Sequence, residues 1–170
     1  MTADALSLPF ADNSFDAIVC QFGFMFFPDK KAAFEEGLRV LVPGGMLLGN
    51  VWDSLEENEL TQVAAATVAR YFRDDPPVFY GVPFGFHDQQ LINTLLEQSG
   101  FDAIEVREVS LPGVARSALD AARGLIEGTP ISHEIVQGAP SEFARVVDAV
   151  AEAIKSRLAR GRSGAARKQS

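Results

Sequence analysis

Two histidines, one cysteine and a dense set of aromatic side chains are what this chain offers for chemistry. His87 is the candidate general base, because a neutral imidazole accepts a proton near pH 7. Its place directly before Asp88, a candidate helix cap, also suits a plainly solvated histidine, and His133 is the lesser second candidate. Cys20 is alone, so it has no internal disulfide partner, and no Cys/His cluster has the spacing of a zinc site. No metal is implied. The aromatic residues are more informative. Gly23 is small enough to let backbone approach a ligand, and Phe24, Met25, Phe26 and Phe27 follow it with rings and a thioether that would wall an apolar substrate pocket. Core packing is the alternative, above all for Phe26 and Phe27. Trp52, with Phe79, Tyr80 and Phe84, forms a second set that would cover the same substrate from a loop.

Regular elements must hold these residues. Phe15 to Phe22 (FDAIVCQF) is a short apolar run bounded by turn residues, expected as a strand buried on both faces, as parallel sheets require. After Pro28-Asp29, Ala33, Phe34, Leu38 and Leu41 recur at helical spacing, and Pro43-Gly44-Gly45 is expected to stop that helix. Met46 to Trp52 then reads as a second buried strand. Parallel neighbours need a crossover helix, so the unit is βαβ. Helical periodicity returns from Leu55 to Phe72, followed by the Pro-, Gly- and aromatic-rich loop DDPPVFYGVPFGF. Asp88 would cap a helix that ends at Gly100, and Phe101 to Leu111 is expected as a third strand. Ser117 and Asp120 form a capping-box-like start to another helix. From Ser141 onward, Phe143, Val146, Val147, Val150, Ile154 and Leu158 make one apolar stripe.

The balance of residues, 47% hydrophobic and 22% charged, is that of a folded domain rather than a disordered chain. The apolar stretch from Ala17 to Phe27 is too short to span a bilayer, and no export signal stands at the N-terminus. A cytoplasmic location is the default. Net charge is −8, yet every one of the 23 acidic residues precedes Lys155, after which come only basic ones. Such a tail can contact nucleic acid or acidic lipid, whereas glycines and a lack of aromatics suit a solvated terminus, so nucleic acid is not the expected partner. The domain is expected over residues 1–160, with 161–170 a basic, disordered tail.

The series DALSLPFADNSFDAIVCQFGFMFFPD followed by AAFEEGLRVLVPGGMLLGNVW resembles the middle of a class I S-adenosylmethionine-dependent methyltransferase, of the small-molecule group that includes ubiquinone-type methyltransferases. The resemblance runs from Asp4 to about Leu111, and GLIEGTPI is also similar to a branch of that group. It implies an α/β fold, a Rossmann-like doubly wound parallel sheet with extra C-terminal helices, and ligands at the carboxyl ends of the strands. It implies that Asp4 meets the adenine amino group and that a backbone N–H near Ala5 meets the ring. By the same resemblance, Gln21, Phe22 and Gly23 line the methionine and sulfonium region of S-adenosylmethionine, with Phe24, Met25, Trp52, Phe79 and Tyr80 on the side of a small, apolar or aromatic acceptor. A sulfonium methyl is already activated, so positioning and exclusion of water suffice and no strong base is demanded.

The family's glycine-rich loop and the acidic residue after its second strand have no counterpart in these 170 residues. The sheet is therefore expected to be partial, lacking N-terminal strands, with open edges that invite pairing. Three alternatives stand: a methyltransferase piece without activity, a non-catalytic module acting through self-association or a partner chain, and an enzyme completed by a second chain.

Overall fold

A computed structural model describes residues 1–72 and 77–167, with residues 160–167 described by backbone alone. The start of the loop expected at DDPP and the last residues of the basic tail lie outside the described residues. The chain divides into two compact units. The first comprises Met1–Ser54 and Gly81–Ser110, and the second Leu55–Tyr80 and the residues from Leu111 on.

The first unit is built on the expected βαβ. Strand β1 (Phe15–Gln21) and strand β2 (Leu41–Asn50) flank helix α1 (Lys30–Val40) and pair in parallel, with Ala17 opposite Met46, Val19 opposite Leu48 and Gln21 opposite Asn50. Asp29 caps α1 by accepting from the Ala32 N–H, which satisfies one of the orphan donors of the first turn. The sequence is misleading at the other end of α1. Pro43-Gly44-Gly45 does not separate helix from strand, because β2 already begins at Leu41 and carries these residues as an irregularity between Phe15↔Leu41 and Ala17↔Met46. Gly44 takes up the bend with φ +82°, and a Cβ at Gly45 would stand 2.9 Å from the Val42 carbonyl oxygen and 3.1 Å from that of Asp16.

One face of this pair is covered. Helix α1 packs on β2 and on helix α3 (Gln89–Gln98), and Met25, Phe34 and Phe86 form the buried centre, with Leu47, Val51, Ile92 and Leu96 around them. Asp88 accepts from the Gln90 and Leu91 N–H groups to start α3. Gly100, at φ +96°, ends it as its N–H donates to the Glu97 carbonyl while that of Phe101 donates to Leu96. The other face is open, against the expectation of strands buried on both sides: Val19 is 72% exposed, Met46 55% and Leu48 48%. Nor is Phe101 to Leu111 a strand among the described residues. Its apolar alternation has no partner ladder, and Val109 and Leu111 lie exposed.

The second unit is helical: α2 (Glu59–Val68), α4 (Ala118–Ile126), α5 (Ile131–Gly138) and α6 (Phe143–Arg167). Ala64, Val68, Ala122, Ile126, Ile131, Ile135, Val146, Val150 and Ile154 fill its core. Ser117 caps α4 by accepting from the Asp120 N–H, and its hydroxyl donates to the Asp120 carboxylate. Helix α5 went unforeseen from sequence, and α6 runs to Arg167, into the stretch expected as disordered tail. No helix of the described residues is long and apolar enough to cross a membrane.

Candidate functional site

Strands β1 and β2 run in the same direction, so Gln21 and Asn50 end them side by side. In open α/β sheets this rim is where ligands bind. Immediately beyond it the chain turns sharply. Phe22 sits at φ +51°, a left-handed conformation that costs a non-glycine residue about 1–2 kcal/mol. Asn50 holds it there: the Phe22 N–H donates both to the Asn50 backbone oxygen, 3.1 Å, and to its side-chain Oδ1, 3.0 Å. Strain maintained by specific bonds is a mark of functional turns.

The turn aims aromatic rings along the rim. Phe22 stacks on Trp52 with centroids 4.4 Å apart and planes 20° apart, and Trp52 leans toward Phe84 at 6.1 Å. Trp52 keeps 43% of its surface in solvent, so the ladder is accessible. His87 lies three residues beyond Phe84, exposed, with Nδ1 2.9 Å from the Phe84 carbonyl oxygen. That contact fixes the tautomer with the proton on Nδ1 and leaves Nε2 as the acceptor.

Beneath the rim, packing excludes larger groups. A Cβ on Gly23 would meet Cys20 Sγ at 2.6 Å, and one on Gly49 would overlap the Phe24 ring and stand 2.9 Å from the Cys20 carbonyl oxygen. Phe24 lies against Phe34, edge to face, with centroids 5.2 Å apart. Burial pushes the Cys20 thiol up, an effect only partly offset by the N–H groups of Gly23 and Phe24.

Asp4 forms a turn of its own. Its Oδ1 accepts from the Leu6 N–H at 3.0 Å, its carbonyl accepts from Ser7, and it is exposed, as a loop aspartate making a turn would be. Ala5 lies within that turn. Just downstream, the Leu8–Ser14 segment is tied to the end of α1. Arg39 donates to the Leu8 and Phe10 carbonyls and to Asp12, while Glu36 accepts from the Leu8 N–H. Among the described residues Asp4 Oδ2 makes no hydrogen bond, whereas in the Gln21–Gly23 turn the Phe22 N–H is engaged by Asn50 and the Gly23 carbonyl by the Phe26 N–H.

Several residues taken from sequence as pocket walls lie elsewhere. Met25 is 4% exposed and belongs to the core with Phe34 and Phe86, because the 3₁₀ turn Phe24–Phe26 points it inward. Phe26 is the member that faces out, 52% exposed. Tyr80 is 5% exposed, its hydroxyl donating to the Leu125 carbonyl at 2.8 Å and its pKa pushed up to about 12 by burial. It is therefore a core residue of the helical unit, with Phe79 tilted beside it at 5.8 Å. His133 is exposed on α5. Asn50 was missed from sequence, although a lone amide ending an apolar strand was the available signal.

Residues 1–49 match the methyltransferase domain family. The demethylmenaquinone methyltransferase of Staphylococcus haemolyticus is 35% identical over 119 residues, 61% of this chain and 48% of that protein. A ubiquinone/menaquinone biosynthesis C-methyltransferase of Paraburkholderia phymatum is 33% identical over 124 residues, 68% of this chain and 51% of that protein. The chain spans about half the length of these relatives, and over the shared part its sequence is similar to theirs.

Proposed function

We propose that this chain, related as it is to the ubiquinone/menaquinone methyltransferases, serves S-adenosylmethionine-dependent methyl transfer to a small quinone-like acceptor. The observation that carries this reading is the Phe22, Trp52 and Phe84 ladder beyond the carboxyl ends of two parallel strands. A flat, electron-rich ring stacks well on such a surface.

The cofactor supplies a methyl group on a positively charged sulfur. The chain's own residues bind and orient. Asp4 Oδ2 accepts from the adenine amino group, and an N–H near Ala5 serves the ring. The backbone of Gln21, Phe22 and Gly23 lies along the methionine arm. Trp52 and Phe84 hold the acceptor in plane and exclude water, and Phe24 supports the turn from below. His87, whose Nδ1 is held by the Phe84 carbonyl, is the candidate to take a proton from the acceptor through Nε2. Since the methyl is already activated, holding donor and acceptor in line is the larger part of the catalytic task.

Isothermal titration with S-adenosylmethionine, followed by methyl transfer to a short-chain naphthoquinol, tests this. Saturable binding and transfer are expected, and absence of both from the folded chain would refute it.

A second reading rests on the open sheet face. Parallel strands normally have both faces covered, and Val19, Met46 and Leu48 leave this one bare. On this reading the chain acts through pairing with a second copy, and light scattering decides it: a strict monomer at high concentration would exclude it.

A further inference from the structure

The segment that follows α3 has the alternation of a strand and none of its bonds. Ala103, at φ +48°, bends the chain, and beyond it Ile104 and Val106 are partly buried while Glu105, Arg107, Glu108 and Val109 are exposed. Among the described residues, no backbone N–H or carbonyl of residues 102–110 hydrogen-bonds to another residue. The whole row is left to water. A run of free donors and acceptors on a chain of period two is a template for a neighbouring strand.

The side chains select that neighbour. Glu105 and Arg107 stand two residues apart and on one side of the segment, with Arg107 Nε 2.5 Å from Glu105 Oε1. In an antiparallel pair, residues directly opposite one another share a face and interact. A two-fold axis at Val106 sets Val106 opposite itself, Ile104 opposite Glu108, and Glu105 of each copy opposite Arg107 of the other. Both charges of that face then meet their opposites across the strands, and no like charges are directly opposed. Moving the axis one residue either way, to Glu105 or to Arg107, opposes a charge to itself. The segment is thus complementary to itself in one register, which makes a second copy of this chain its occupant.

We propose that residues 104–108 dock antiparallel on the same residues of a second copy, about a two-fold axis at Val106. Backbone bonds join the two segments, and the Glu105 and Arg107 pairs fix the register. This contact is separate from the open face of β1 and β2, and it does not rest on the methyl-transfer reading.

The test is amide hydrogen exchange of the full chain over a range of protein concentrations, read at residues 104–108. Protection of these amides is expected to appear as concentration rises. E105R and R107E each oppose like charges, so either change alone should raise the concentration needed for protection about tenfold or more. Mixing the two variants should restore protection, because every opposed pair is again of opposite sign, and the double swap E105R/R107E should restore it within one chain. Both side chains are exposed, so the fold should tolerate the changes, and damage to it would not be mended by mixing. Association through the open sheet face would leave these amides fast. Exchange independent of concentration, protection indifferent to both reversals, or no recovery in either the mixture or the double swap would each overturn the proposal.

Discussion

Arg39 grips Glu36 with two parallel bonds, Nε to Oε2 at 2.9 Å and Nη2 to Oε1 at 2.7 Å, one turn apart on α1. The same guanidinium reaches the carbonyls of Leu8 and Phe10 and the carboxylate of Asp12. One side chain therefore ties the loop that follows Asp4 to the crossover helix. A bidentate arrangement suits arginine and not lysine, whose ammonium cannot make both bonds at fixed geometry.

That grip makes stability depend on acid. The paired guanidinium, with help from the Leu8 N–H, lowers the Glu36 carboxyl from 4.5 to about 2. A group whose folded value is depressed stabilises the fold above its unfolded value and loses that contribution as pH falls through the folded one. Melting temperature should fall as pH goes from about 4.5 toward 2. In Arg39→Lys that part of the acid dependence should shrink, and the Leu8–Asp12 loop should become more open to proteolysis. An unchanged pH profile in the variant would refute the assignment.

Gly49→Ala tests the packing beneath the rim. Its methyl would occupy the place of the Phe24 ring and press on the Cys20 carbonyl. Overpacking of this kind costs about 1–3 kcal/mol. Urea denaturation should show that loss, and near-ultraviolet circular dichroism a change in the aromatic environment. A variant as stable as the parent would mean that Phe24 swings away without cost.

Trp52 is the single tryptophan, so its fluorescence reports on the ladder without interference. Quinone binding at the rim should quench it. Trp52→Ala should weaken acceptor binding about three- to tenfold, the worth of one aromatic pair beyond simple burial. Quenching without any loss of affinity in the variant would move the acceptor elsewhere.

Asn50→Ala removes the side-chain acceptor of the Phe22 N–H and leaves the backbone one. The expected cost is about 0.5–1.5 kcal/mol in stability, with a larger effect on ligand binding as Phe22 relaxes from its left-handed conformation. Equal effects on both would reduce Asn50 to a stabilising residue only.

The open sheet face predicts self-association at high concentration. Leu48→Lys places a charge in the middle of that face, already 48% exposed, so the fold should tolerate it while the oligomer dissociates. Analytical ultracentrifugation of both proteins decides the matter.

Local signals read well from the sequence, and long-range ones did not. Asp88 and Gly100 bound α3 as expected because capping depends only on residues a few positions apart. The parallel βαβ followed from the run at Phe15, the helical spacing after Lys30 and the shortness of the loops. Phe101 to Leu111 has the alternation of a strand, but a strand exists only with a partner, and periodicity carries no record of one. Pro43-Gly44-Gly45 looked like a stop and is a bulge, since the same residues serve both. The family resemblance pointed to Gln21, Phe22 and Gly23, and the aromatic content to Trp52, whereas Met25 and Tyr80, taken for pocket walls, are buried. Ring and thioether side chains suit core and cleft alike, and only the 3₁₀ turns decide which way they face.

Cys20 lies under the turn that Phe24 closes, half-buried and with its thiol pushed up by desolvation. At neutral pH it stays protonated, and the nucleophile in alkylation is the thiolate. Its modification by a maleimide is thus slow at neutral pH and speeds up as pH rises and the thiolate forms. The maleimide adduct, counted by mass spectrometry, then reports on the surroundings of the rim through a residue of the chain itself.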